Sequence, residues 1–166
     1  EVINWFKKIK PNSLDLYGPD WNRIVTNNKY LNKILFRLNI KIRNKIYKGL
    51  IQKKSKHLSK YKFAICFENA KNYPGYITEK IFDCFCSNVV PVYLGPPNIL
   101  TYIPESCFID FNKFNSVESL YEYLQNMTDE DYNEYLKSID LFFNSESIKQ
   151  FSIENFISTI IKNIKL

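Results

Sequence analysis

Residues 61–97 read YKFAICFENAKNYPGYITEKIFDCFCSNVVPVYLGPP. The short apolar run Phe63 to Phe67, bounded by polar residues, predicts a buried strand that ends in the pair Glu68-Asn69. A loop with Pro74 and Gly75 follows, and a helix is expected over 77–87 with Thr78, Glu79 and Lys80 in its first turn. Val89 to Leu94 is a second apolar strand, closed by Gly95-Pro96-Pro97. This strand–loop–helix–strand unit gathers polar and charged groups where a strand gives way to a helix. In open α/β sheets ligands bind at that edge, and a helix N-terminus there suits phosphate. A nucleotide is the kind of ligand such a place fits.

Downstream, a strand at 107–111 alternates with helical segments, the pattern of a parallel sheet covered on both faces. Asn98 is placed to cap a short helix through Tyr102. Ser116 can cap a helix over 117–126 with Val117, Leu120, Tyr121 and Leu124 as its apolar stripe. Thr128 opens another, running to Phe143, with Asp129, Glu130 and Asp131 where acids favour the dipole. Ser152 starts the last. Upstream, residues 1–10 read as a helix ended by Pro11-Asn12-Ser13, and Leu14 to Tyr17 as a short strand turning at Gly18-Pro19. Between 19 and 60 the pattern is weaker. It suggests irregular chain over 21–30, a helix over Leu31 to Asn44, an ambiguous Ile46 to Gly49, and a short helix from Gln52 to Ser59. The fold class expected is α/β, a Rossmann-like parallel sheet covered by helices.

A chain of 166 residues with 45% apolar content is one domain long and argues against disorder. No run approaches the roughly 18 apolar residues of a membrane span. The chain does not begin with Met, shows no signal-peptide pattern, and Glu1 to Trp5 reads as helix interior, so a piece of a longer polypeptide is expected. The four cysteines, Cys66, Cys84, Cys86 and Cys107, lie within apolar patterns, with no CxxC pair and His57 as the single histidine. That argues against zinc and for buried, reduced thiols in a reducing compartment. Asp129 and Asp131 have the Asp-x-Asp spacing of a metal motif but read better as capping charge, so no metal is expected.

The net charge of +6 is uneven: no acid lies between Asp20 and Glu68, while thirteen Lys and Arg do. Interleaved with Ile34, Leu35, Phe36, Leu38, Ile40, Ile42 and Ile46, they suit an anionic partner, a nucleotide diphosphate or membrane headgroups. Residues 29–60 are therefore a candidate for peripheral membrane contact; a solvated helix-and-loop excursion is the plainer alternative. No recognised module points to nucleic acid.

The central block resembles the C-terminal half of the family 10 glycosyltransferases, the α-1,3/1,4-fucosyltransferases. Their signature is matched by Tyr61-Lys62-Phe63, Phe67-Glu68-Asn69, Tyr76-Ile77-Thr78-Glu79-Lys80 and Pro91-Val92-Tyr93-Leu94-Gly95-Pro96, and more weakly by Phe108-Ile109-Asp110, Phe114 and Asp15-Leu16-Tyr17-Gly18. The resemblance implies the donor-binding half of a GT-B enzyme using GDP-fucose. The whole enzyme would move fucose to the 3- or 4-hydroxyl of N-acetylglucosamine in a glycan, with inversion and with no cofactor or protein-held metal. It implies that Lys80 meets the donor diphosphate and Glu79 the ribose hydroxyls. Asn69 would face the sugar-phosphate end, with Tyr76 and Thr78 lining the site. Tyr17 and Gly18 (near the guanine), Glu68 and Gly95 are further donor-site candidates. The general base and a phosphate-binding arginine are implied to lie upstream. No catalytic residue is therefore assigned within 1–166, the glycan acceptor falls to the preceding domain, and the isolated chain should bind donor weakly and transfer nothing. The loop Ala70 to Gly75 is about one residue longer than the family's usual one.

The residues alone leave other roles open. Lys80 could pair with Asp83 or Glu79, Glu79 could simply favour the helix dipole, Thr78 could cap the helix, Asn69 could close an Asx-turn, and Glu68 could hold neighbouring backbone or the Lys62 region. A transferase for another nucleotide sugar, and a non-catalytic module acting through the basic segment, are the rival functions. A bacterial source would place the protein in the cytoplasm or at the inner membrane periphery, a eukaryotic one in the Golgi.

Overall fold

A computed structural model describes residues 1–41, 44–70 and 72–164. Ile42 and Arg43 of the expected basic helix, and one residue of the 70–75 loop, lie outside the described residues. The chain divides into two compact units, Glu1–Lys54 and Ser55–Leu166.

In the first unit α1 (Val2–Ile9) buries Val2 and Phe6, with Lys7 and Lys8 in the last turn where cations favour the dipole. β1 (Leu16–Tyr17) and β2 (Tyr47–Gly49) pair in parallel, and the ambiguous stretch is thus a strand. α2 (Lys29–Arg37) begins at Asn28, whose side chain accepts from the Tyr30 and Leu31 N–H groups. It stops seven residues before the expected Asn44 because Asn39 takes a left-handed conformation, φ 49°, which asparagine tolerates and a continuing helix does not.

The second unit holds α3 (Lys54–Leu58, at the division), β3 (Phe63–Phe67), α4 (Glu79–Phe85), β4 (Val90–Leu94), β5 (Ile109–Asp110), α5 (Val117–Asn126), α6 (Asp129–Phe143) and α7 (Ile153–Asn163). Its sheet is parallel in the order β3-β4-β5. As the middle strand, β4 is covered on both faces. Val90 and Val92 pack with Ile109 and Leu120 on one side. Tyr93 packs with Ile81, Phe85, Phe108 and Phe142 on the other. Pro91 is tolerated in this strand. The Val90 N–H goes to Lys62 O on the β3 side, so the missing Pro91 N–H falls on the opposite side, where β5 pairs only from Val92 onward.

The expected caps of α5 and α6 form as reciprocal capping boxes, Ser116 with Ser119 and Thr128 with Asp131. The helix expected over 77–87 is shorter at both ends. Thr78 is an extended N-cap (φ −111°, ψ 179°), and Asn88 at φ 54° turns the chain into β4. Residues 99–101 form a 3-10 turn, and Asn98 does not cap it. Cys66, Cys84 and Cys107 are buried, but Cys86 is exposed, contrary to the expectation of four buried thiols. It stands two positions past Cys84, about 200° further round the turn. Cys84 beside it and then burial push the Cys66 thiol far up, and burial pushes Cys107 up to about 11, so both are held protonated. Among the described residues there is no cluster of three or more metal-ligating side chains, and no helix is long and apolar enough to cross a membrane.

Candidate donor site

β3 continues into Glu68, whose N–H bonds Leu94 O at 2.8 Å, so the backbone of Glu68 is held by the sheet itself. That side chain is fully buried, a costly position for a carboxylate unless it is well partnered. Its partners come from three places. Thr78 donates through its N–H at 2.9 Å and its hydroxyl at 2.8 Å. The Tyr93 hydroxyl donates at 3.2 Å, and the Lys80 ammonium lies 3.4 Å away. Burial, and then the Glu68 charge, push the Tyr93 hydroxyl above the usual phenol range.

Thr78 has a double role, donating to Glu68 while its Oγ1 accepts from the Lys80 N–H at 3.5 Å. Lys80 turns back from α4 to the carboxyl end of β3. Its Nζ donates to Phe67 O and to Asn69 Oδ1, each at 3.0 Å. Lys80 is therefore not aimed at Asp83 or Glu79. Glu68 likewise does not hold Lys62, which pairs with Asp129 and lies 5.2 Å from the Tyr132 ring centroid.

The structure thus brings Glu68, Asn69, Thr78 and Lys80 together at the edge where β3 ends. Asn69 is exposed beside the ammonium. Glu79 is exposed in the first turn of α4, and its side chain makes no hydrogen bond or ion pair among the described residues. Tyr76 is 37% exposed on the loop, its N–H donating to Tyr73 O at 3.1 Å. Gly95 is buried against Tyr93: a Cβ there would overlap the tyrosine hydroxyl and ring. A residue without a side chain lets Tyr93 reach Glu68. Tyr17 and Gly18 belong to the first unit, where Tyr17 ends β1 and Gly18, at φ 124°, donates to Gly49 O at 3.0 Å.

Two residues that the sequence did not assign to the site help hold this edge. Tyr93 is the third partner of the buried acid. Asn98, instead of capping, accepts the Gly75 N–H at 2.8 Å and fastens the loop ahead of α4. Tyr93 left a signal: a tyrosine in an aliphatic strand buried on both faces needs a partner for its hydroxyl. A cavity of about 740 Å³ lies elsewhere, beside β5, and its carboxylates are engaged: Glu105 by Lys113, Asp131 by Thr128 and Glu134 by Lys137.

The family described as "Glycosyltransferase family 10 (fucosyltransferase) C-term" matches residues 10–156. The chain belongs to this family. It is 31% identical over 123 residues to the alpha-(1,3)-fucosyltransferase FucT of Helicobacter pylori, covering 68% of this chain and 25% of that protein. It is 34% identical over 140 residues to 4-galactosyl-N-acetylglucosaminide 3-alpha-L-fucosyltransferase FUT6 of Homo sapiens, covering 82% of this chain and 35% of that protein. The chain therefore spans only about a quarter to a third of these relatives. A crystal structure described as alpha1,3-fucosyltransferase with GDP-fucose superposes with a TM-score of 0.50 at 22% identity, over 81% of this chain and 47% of that one. That likeness is one of fold, the Rossmann-like α/β half of a GT-B glycosyltransferase.

Proposed function

We propose that this family 10 chain binds the donor GDP-fucose, and that the polypeptide it belongs to transfers fucose to the 3- or 4-hydroxyl of an N-acetylglucosamine unit with inversion. The observation that carries the reading is the Lys80 ammonium, held at the carboxyl end of β3 by Phe67 O and Asn69 Oδ1. Breaking the glycosidic bond places negative charge on the departing diphosphate, and a cation fixed in advance stabilises that charge without reorganising. Two of the three ammonium protons are engaged by Phe67 O and Asn69 Oδ1 and the Glu68 carboxylate lies 3.4 Å away, so a donor phosphate shares the ammonium with that acid. Exposed Glu79 accepts from the ribose hydroxyls. Asn69 faces the sugar-phosphate end, and Tyr76 and Thr78 border the donor. Thr78 does so while its hydroxyl stays on Glu68, so Glu68 and Gly95 act by shaping the site. The base that takes the acceptor proton, and the surface that binds the glycan, lie outside the residues assigned here.

Ligand-observed NMR, which reads weak complexes, tests the donor. GDP-fucose and GDP should compete for one site on the chain while UDP-galactose does not displace them. Displacement by the uridine nucleotide at equal concentration would assign the site to another nucleotide sugar.

A further inference from the structure

The donor reading makes no use of α2, whose surface has an unusual division. At about 100° per residue, Tyr30, Leu31, Ile34, Leu35 and Leu38 share one side; Arg37 stands at its border, and Lys33 and Lys29 step back from it along the polar side. The helix buries no residue: Tyr30 is 78% exposed, Ile34 55% and Leu38 64%. Its opposite side is the one that is tied down. Asn32 accepts from the Thr26 N–H at 2.7 Å and returns a bond to Thr26 O at 2.7 Å, and the Arg23 guanidinium lies 3.9 Å from the Phe36 ring centroid. Tyr30, Ile34 and Leu38 stand open on the apolar side, whereas Leu35 at its far edge is half-buried and Phe36 on the other side is 63% exposed.

The charge decides what covers it. No acidic residue occurs between Asp20 and Glu68. A second copy would bring a face bordered by the same cations against itself. An anionic bilayer offers acyl chains for the apolar residues and phosphates for the cations at the same depth, the arrangement of an interfacial helix. At about 1.5 Å per residue such a helix is too short to cross a membrane and long enough to lie in its surface. We infer that α2 lies in the headgroup layer of an anionic membrane, with Tyr30, Ile34 and Leu38 inward and Arg37 and Lys33 on the lipid phosphates.

Cosedimentation of the chain with vesicles tests this. Phosphatidylcholine vesicles are compared with vesicles containing about 30% phosphatidylglycerol, at about 0.1 M and about 0.5 M salt, where screening lengths differ about twofold. Retention is expected on the anionic vesicles only, falling at least about tenfold at the higher salt. It should fall by a similar factor in Ile34→Asp/Leu38→Asp and in Lys33→Glu/Arg37→Glu. None of these side chains is buried, so thermal unfolding and GDP binding should stay as in the parent chain. Absence of retention on anionic vesicles, or equal retention by the variants, overturns the inference. So does a concentration-dependent dimer that forms without lipid and is abolished by Ile34→Asp, which would give the face to a second copy.

Discussion

The buried Glu68 carboxylate accepts two hydrogen bonds from Thr78, through the N–H at 2.9 Å and the hydroxyl at 2.8 Å. One acidic side chain thereby welds the end of β3 to the start of α4, and the same acid lies 3.4 Å from the Lys80 ammonium. The edge that holds the candidate donor groups is thus cross-braced before any ligand arrives.

Removing that brace should be costly. Glu68→Ala leaves the Thr78 N–H and the Tyr93 hydroxyl without their acceptor, and a loss of about 3–5 kcal/mol is expected for breaking a buried charged network. Chemical denaturation measures it. A loss below about 1 kcal/mol would mean that the site relaxes freely and that Glu68 fixes nothing.

Gly95→Ala should also destabilise, by about 1–3 kcal/mol as overpacking usually does, and should weaken GDP binding through the displaced Tyr93. Tyr93→Phe should not rescue it, because ring carbons as well as the hydroxyl lie within overlap distance of the added Cβ. Full rescue in the double variant would contradict the packing described.

Alkaline titration gives a third check. Burial raises the Cys107 thiol to about 11 from an ordinary value near 9. A raised acid is protonated in the fold, so its contribution is complete below about pH 9 and is lost as pH climbs through about 11. That contribution is at most about 2–3 kcal/mol. Tyr93, raised in the same direction, adds a loss beginning above about pH 10. Stability measured from pH 8 to 11 should fall, and Cys107→Ala should flatten the slope over the first part of that range. An unchanged slope in the variant would count against it.

The ribose assignment has its own test. Glu79→Ala should weaken GDP binding by about tenfold, roughly 1.4 kcal/mol, while leaving the affinity for 2′,3′-dideoxy-GDP unchanged. Equal losses for both nucleotides would remove Glu79 from the ribose.

Much of the second unit could be read from the sequence because its signals are local. β3 and β4 are apolar blocks with polar boundaries, and Ser116 and Thr128 announce α5 and α6 through caps that need no distant partner. What could not be read depends on register or on single dihedrals. The end of α2 is set by Asn39 alone. The Tyr93–Glu68 bond joins residues 25 apart and exists only once β4 lies beside β3. Lys80 is aimed by the backbone carbonyl of Phe67, a group every residue carries and no sequence pattern marks. Asn98 could be recognised as a residue with local work to do, but its partner, the Gly75 N–H, lies across a loop.

Calorimetric titration of GDP into the chain and into Lys80→Ala addresses the central claim most directly. An affinity at least tenfold weaker is predicted in the variant, a difference of about 1.4 kcal/mol or more, read at a temperature where the variant, destabilised by leaving the buried Glu68 without its cation, is still folded. Equal affinities for GDP in the two proteins would contradict the placement of the diphosphate on Lys80, and with it the donor site described.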